Sequence, residues 1–279
     1  MELRVLHYFL AVAREQSISA AAQSLHLTQP TLSTQLKALE EELGKQLLVR
    51  GTKGSRKVTL TEEGMILRKR AEEILTLVNK AEEEIAHSDD TVVGTVSIGA
   101  GETDIVRYFA KAARTLQKRY PDIRYQISSG NAEYVLEYLD KGLIDFGLVF
   151  GEVDQRKYQS LPLPAKDTWG VLMRRDSPLA EKEAITPQDL WDKPLLLSHQ
   201  RGGSGALFRW LKRDASQLNV VATYNLVYNA SLLVDEGLGY ALTLDKLIHT
   251  EGTDMCFRPL SPGMEATAAF VWKKYQVFT

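Results

Sequence analysis

SISAAAQSLHLTQPTLSTQLKALEEEL, residues Ser17–Leu43, reads as two short helices around a tight turn, the second with two chemically different faces. Thr28 stands where its hydroxyl can cap that second helix. Gln29 and Pro30 fill the first turn, where a missing proline N–H costs nothing. Leu32, Leu36, Leu39 and Leu43 recur at helical spacing as one apolar stripe. Gln29, Ser33 and Lys37 lie four apart on another side, flanked by Thr31, Thr34 and Gln35. Short hydroxyl and amide side chains suit base edges in a DNA major groove, and a lysine further along suits phosphate. Upstream, Ser19–Ala22 supplies small residues where two helices must cross closely. The pattern is that of a helix-turn-helix and points to DNA binding. A plainer alternative, a helix pair whose polar face is merely solvated, stays open at this point.

The next segment bears on that choice. Leu47–Arg50 and Val58–Leu60 read as short strands joined by Gly51-Thr52-Lys53-Gly54-Ser55-Arg56-Lys57, a glycine-containing turn. Arg50, Lys53, Arg56 and Lys57 have no acid between them, so the hairpin offers a cationic tip that can reach the sugar-phosphate backbone or the minor groove. A hairpin carrying cations only for solubility is the alternative. Residues 1–60 hold eight Lys/Arg against five Asp/Glu, residues 61–90 four against nine, and residues 91–279 balance at 22 each. The overall formal charge of −2 thus conceals a basic head on an acidic neck. Such a chain can bind DNA when its cations gather on one face.

Thr61-Glu62-Glu63 reads as the capped start of a long helix. Leu67, Ala71, Ile74, Val78, Ala81 and Ile85 then alternate in steps of four and three, an a/d seam with charged flanks. The preferred reading is a two-stranded coiled coil; the other is an amphipathic helix lying on its own domain. A dimer would offer two recognition helices to two half-sites. The polar stretch His87-Ser88-Asp89-Asp90 ends the helix and marks a domain boundary.

Beyond it the periodicity changes. Strands at Thr95–Ile98, Ile123–Ser128 and Phe146–Phe150 alternate with helices at 105–119 and from 131 to 141, an order that implies a parallel sheet with right-handed crossovers. A second set follows, with strands at Trp169–Met173, Leu195–Leu197, Val220–Tyr224 and Tyr240–Thr243, helices from Pro187, near Gly205 and before Gly237, and a returning strand at Ala266–Trp272. Two α/β lobes with a cleft between them are expected. Ligands in such sheets sit beyond the carboxyl ends of strands, near helix N-termini.

Other chemistries find little support. His7, His26, His87, His199 and His249 are scattered and Cys256 is the sole thiol, so no metal site is expected. Gly202-Gly203-Ser204-Gly205-Ala206 falls short of a nucleophile elbow, and Gly99-Ala100-Gly101-Glu102-Thr103-Asp104 lacks the third glycine of a dinucleotide fingerprint. No cofactor and no enzymatic activity are expected. A lone cysteine fits a reducing cytoplasm, and no run reaches the roughly 18 apolar residues of a membrane span.

With these segments in view the chain resembles the LysR-type transcriptional regulators through nearly its full length. The most specific portion is Phe9–Gly64, with AVAREQSISAAAQSLHLTQPTLSTQLKALEEELGKQLLVR and the later VTLTEEG; SSGNAEYVLEYLDKGLIDFGLV and LLVDEGLGYALTL match more loosely. The resemblance implies an α+β multidomain chain. A winged helix-turn-helix (1–60) and a dimerising linker helix (61–90) would precede a two-lobed, periplasmic-binding-protein-like effector domain (91–279). Lobe I would take about 91–161 and 267–279, and lobe II 162–266. It further implies duplex DNA and a small-molecule effector as partners, a homodimer through the linker helix assembling into a homotetramer, contact with RNA polymerase, and no membrane. Carried over by position, base-reading contacts fall on Gln29, Pro30, Ser33, Thr34 and Lys37, and backbone contacts on Arg50, Arg56 and Lys57. Effector contacts fall on Thr103, Ser129, Asn131, Phe150, Ser198 and His199, whose hydroxyls and helix N-termini suit a small carboxylate or phosphate. Three departures stand out. Thr52-Lys53-Gly54 lengthens the wing tip and shifts the register of Arg56 and Lys57. Glu102 puts a negative charge in the cleft, where it would compete with an anionic effector, so a cationic or zwitterionic one stays open. The chain ends at Thr279, where relatives continue into one more amphipathic helix.

Overall fold

The computed structural model describes residues 1–50, 57–86, 92–198 and 201–274. The chain divides into two compact units, Met1–Asp89 and Asp90–Thr279.

In the first unit, α1 (Leu3–Glu15), α2 (Ile18–Ser24) and α3 (Gln29–Leu43) precede a hairpin of β1 (Leu48–Arg50) and β2 (Val58–Leu60), and then α4 (Glu62–Ala86). The hairpin is antiparallel, with Leu48 opposite Leu60 and Arg50 opposite Val58. α2 and α3 each have a side-chain cap: Ser17 accepts from the Ala20 N–H at 3.3 Å and Thr28 from the Thr31 N–H at 3.3 Å. α3 stops at Gly44, whose φ of +63° is the left-handed conformation that glycine adopts at low cost. Phe9 and Val12 meet Ala21, Ala22, Leu32 and Leu36 in one buried cluster, and the two alanines are what lets α2 come close. The leucine stripe of α3 is buried at Leu32, Leu36 and Leu39 but not at Leu43. Leu47 and Leu48 enter the same cluster just beyond and close that end of the core.

The expected a/d seam of α4 is divided. Ala71 and Leu75, with Leu67 and Ile74 beside them, pack on Leu6 and Leu10 of α1. The first half of the seam therefore serves the unit's own core, because α1 supplies the apolar partner that a second chain would otherwise provide. Further along, Ile85 is 75% exposed.

The second unit begins with β3 (Gly94–Ala100), α5 (Val106–Arg119), β4 (Ile123–Ser129), α6 (Ala132–Asp140) and β5 (Phe146–Phe150). Strands β4, β3 and β5 lie side by side and parallel, as the β-α-β order demands. A 17-residue strand, β6 (Tyr158–Arg174), follows. Next come α7 (Pro187–Leu190), β7 (Leu195–Ser198), α8 (Arg201–Leu211), β8 (Val220–Tyr224), α9 (Val227–Asp235), β9 (Tyr240–Leu244), β10 (Met255–Pro259) and β11 (Glu265–Lys273). The strand order is β4-β3-β5-β11-β6-β9-β7-β8, with β10 paired to β6.

The sequence reading found only the second half of β6 and missed β10. The first half of β6 pairs with β11 in the β4-β3-β5 sheet, and the second half pairs with β9 and β10. The boundary expected at 161/162 therefore falls inside one continuous strand. Gly99 has a packing reason rather than a cofactor one: a Cβ there would lie 2.7 Å from Ile144 Cδ1 and 3.1 Å from Val135 Cγ2.

Candidate DNA interface and ligand cavity

Burying Leu32, Leu36 and Leu39 fixes the roll of α3 about its axis, and so decides which side chains face outward. Gln29, Pro30, Thr31, Thr34 and Lys37 are exposed and Ser33 is half-buried. All six expected positions on the helix thus remain accessible, wholly or in part. Two of the hydroxyls are held in place by local bonds: Thr31 Oγ1 lies 2.7 Å from Thr28 Oγ1, and Thr34 Oγ1 donates to the Pro30 carbonyl at 2.9 Å. Each keeps lone pairs for an outside donor. Lys37 has no ion-pair partner among the described residues.

The wing is tied to α3 by Glu40, which the sequence reading passed over. Its Oε1 accepts the N–H groups of Leu47 and Leu48 at 2.9 and 3.0 Å, and its Oε2 accepts Arg50 Nη2 at 3.0 Å. The Glu40 side chain is only 14% exposed and that of Arg50 35%. One carboxylate thus satisfies two backbone donors where β1 begins and orients the first cation of the hairpin. Arg50, expected to touch phosphate, is also a structural group, and its Nε is buried without a partner among the described residues. Lys57 is exposed at the start of β2. Arg56 lies outside the described residues.

In the second unit a cavity of about 290 Å³ opens beyond the strand ends of β5, β7, β8 and β9. Of the expected effector residues, Asn131, Phe150 and Ser198 line it. Thr103 and Ser129 do not, and His199 lies outside the described residues. Thr103 is engaged elsewhere: it is buried, its hydroxyl donates to Asp167 and accepts the Ile105 N–H at 3.0 Å. Burial pushes the Asp167 carboxyl above its ordinary range, against the opposing pull of the Thr103 hydroxyl. Ser129 is exposed, because the chain turns there so that Asn131 can cap α6, its Oδ1 accepting the Tyr134 N–H at 2.8 Å.

The cavity also takes Glu102, whose charge was expected in the cleft, and Trp169, Tyr224, Val227 and Thr243, which were not singled out. Tyr224 ends β8 and Thr243 lies near the end of β9. The rule that ligands sit at the carboxyl ends of strands would have found both. The buried Tyr224 hydroxyl donates to the Leu242 carbonyl at 2.6 Å, and burial raises its pKa to about 12, so it stays neutral at physiological pH. Glu102 Oε2 accepts the Val227 N–H at 2.5 Å, which makes it the cap of α9 from 125 residues upstream. Among the described residues no group of three His, Cys, Asp or Glu could hold a metal ion, and no helix is long and apolar enough to cross a membrane.

Comparison with known proteins covers both units. Residues 3–65 match the bacterial regulatory helix-turn-helix protein model of the lysR family, and residues 89–277 match the LysR substrate binding domain. The chain belongs to the LysR family of transcriptional regulators. It is a DNA-binding regulator with an effector-binding domain, not an enzyme. The HTH-type transcriptional regulator YfeR of Shigella flexneri is 28% identical over 276 residues, covering 98% of this chain and 88% of that protein. BudR of Raoultella terrigena is 26% identical over 285 residues, covering 99% and 96%. Among solved structures, full-length CbnR complexed with its target DNA superposes with a TM-score of 0.77 at 22% identity, covering 99% of this chain and 94% of that one. At that identity the likeness is one of fold.

Proposed function

We propose that this LysR-family regulator reads its operator with the outward face of α3. Gln29, Pro30, Thr31, Ser33 and Thr34 meet base edges, Lys37 meets phosphate, and Arg50, Arg56 and Lys57 hold the backbone from the wing. The observation that carries this reading is the burial of α3: three leucines enter the core while an amide, hydroxyls and a lysine stay accessible. A small-molecule effector occupies the cavity lined by Asn131, Phe150 and Ser198, and its binding changes transcription. The chain pairs with a second copy through the part of α4 that its own core leaves open, around Val78, Ala81 and the exposed Ile85, and two such dimers form a tetramer that contacts RNA polymerase. Its place of action is the cytoplasm, with the DNA.

The test is selection of bound duplexes from a randomised pool by the full chain and by Gln29→Ala. A bidentate amide contact is worth about 1–3 kcal/mol of discrimination. The variant should therefore lose preference at one or two base pairs while still retaining DNA. An unchanged consensus would remove Gln29, and the proposed register of α3, from the reading.

A further inference from the structure

We infer that the effector of this regulator carries a cationic nitrogen, an organic ammonium on an apolar or aromatic body. This rests on the proposal that the effector sits in the cavity of the second unit, and it goes beyond it by fixing the charge. Three observations converge. First, the described lining residues include the carboxylates of Glu102, Glu133 and Glu265 and no Lys, Arg or His. Glu265 is paired with Lys166 at 2.5 Å; neither Glu102 nor Glu133 has an ion-pair partner among the described residues.

Second, two positions where an anion would bind are already taken. The first N–H of α9 holds the Glu102 carboxylate, and the start of α6 is capped by Asn131 and carries Glu133 in its first turn. An incoming carboxylate would meet like charge at both helix starts, where one first-turn N–H of each is already bonded. Third, Phe150, Trp169 and Tyr224 supply aromatic surface in the same cavity, which favours an apolar body and is attractive to a neighbouring cation. The Tyr224 hydroxyl is spent on the Leu242 carbonyl, so it does not serve as an anion donor.

The test uses the full chain and matched probes differing only in head group: benzylamine, benzyl alcohol and benzoate, then butylamine, butanol and butanoate. Affinities are measured by calorimetry and ligand-observed NMR at neutral pH. Within each set the amine should bind at least about ten-fold tighter than the carboxylate, with the alcohol between. Glu102→Gln keeps an acceptor for the Val227 N–H while removing the charge, and with Glu133→Gln it should narrow that ratio about ten-fold without weakening the alcohol. A carboxylate that binds as tightly as its amine overturns the charge assignment and leaves the cavity in place. Amine binding that Phe150→Ala does not weaken puts the ligand elsewhere and overturns the proposed location itself. So does an absence of binding by every probe.

Discussion

The two binding surfaces of this chain are built on opposite plans. The α3 face is convex and exposed, made of short polar side chains that bond locally and still offer lone pairs outward, with Lys37 beside them unpaired among the described residues. The cavity is concave and its polar groups are largely consumed by the fold: Asn131 caps α6, Glu102 caps α9 and Tyr224 bonds the Leu242 carbonyl. DNA is long, uniformly charged and available along a whole groove, so a helix face with correct chemistry suffices. A small molecule must be enclosed, and the side chains enclosing it have to be held by the protein first. The same residue types therefore mean different things in the two units.

Several changes would break or sharpen that contrast. The largest effect belongs to the hidden side of α3. Leu36→Ala removes a fully buried side chain and should cost about 2–5 kcal/mol, lowering the urea midpoint of the first unit while that of the second stays put. Next comes Glu40→Ala, which strands the Leu47 and Leu48 N–H groups and the Arg50 guanidinium. Loss of these charge-assisted bonds should cost about 1.5–3 kcal/mol in chemical denaturation. It should also weaken DNA binding even though a negative charge is removed. Tighter binding by that variant would mean that Glu40 acts only through its charge.

Thr28→Ala deletes the cap of α3 and should cost roughly 1 kcal/mol, with little change in the cavity's ligand affinity. The smallest effect lies in the second unit. The Asp167 carboxyl, raised by burial and then by Asp104 and Asp245 against Thr103 and Lys246, has a folded-state pKa above that of the unfolded chain. Its protonated form therefore favours folding. That contribution is greatest at acid pH and declines as pH rises from the ordinary carboxylate range through the raised value. Asp167→Asn should flatten this part of the pH dependence of Tm, leaving the first unit's transition unaltered.

The same contrast explains what could be read from the sequence. In the first unit the decisive interactions are local. Thr28 caps three residues on, the leucine stripe follows helical spacing, and the hairpin is announced by its glycines, so helix, wing and outward face were all legible. Glu40 was not, because a glutamate on a polar helix face looks solvated until β1 folds back onto it seven to ten residues later. That the first half of the α4 seam packs on α1 was not legible for the same kind of reason: periodicity shows that a face is apolar, not which surface covers it. In the second unit the short apolar runs between helices were found as strands, whereas the first half of β6, with Pro162 and Pro164, and the short β10 were not. Thr103 had the residue type and the place of a ligand contact, but its partner Asp167 lies 64 residues away on β6. Pairings at that separation leave no local trace.

The central claim is that α3 and the wing grip duplex DNA through exposed polar and cationic side chains. The direct measurement is the affinity of the full chain for DNA from upstream of its own gene across a series of KCl concentrations, compared with Lys37→Ala. The wild type should weaken steeply and linearly in log–log form, and the variant should bind more weakly at every base sequence with a slope shallower by about one. Identical slopes and affinities for the two proteins, or no binding at low salt, would contradict the account.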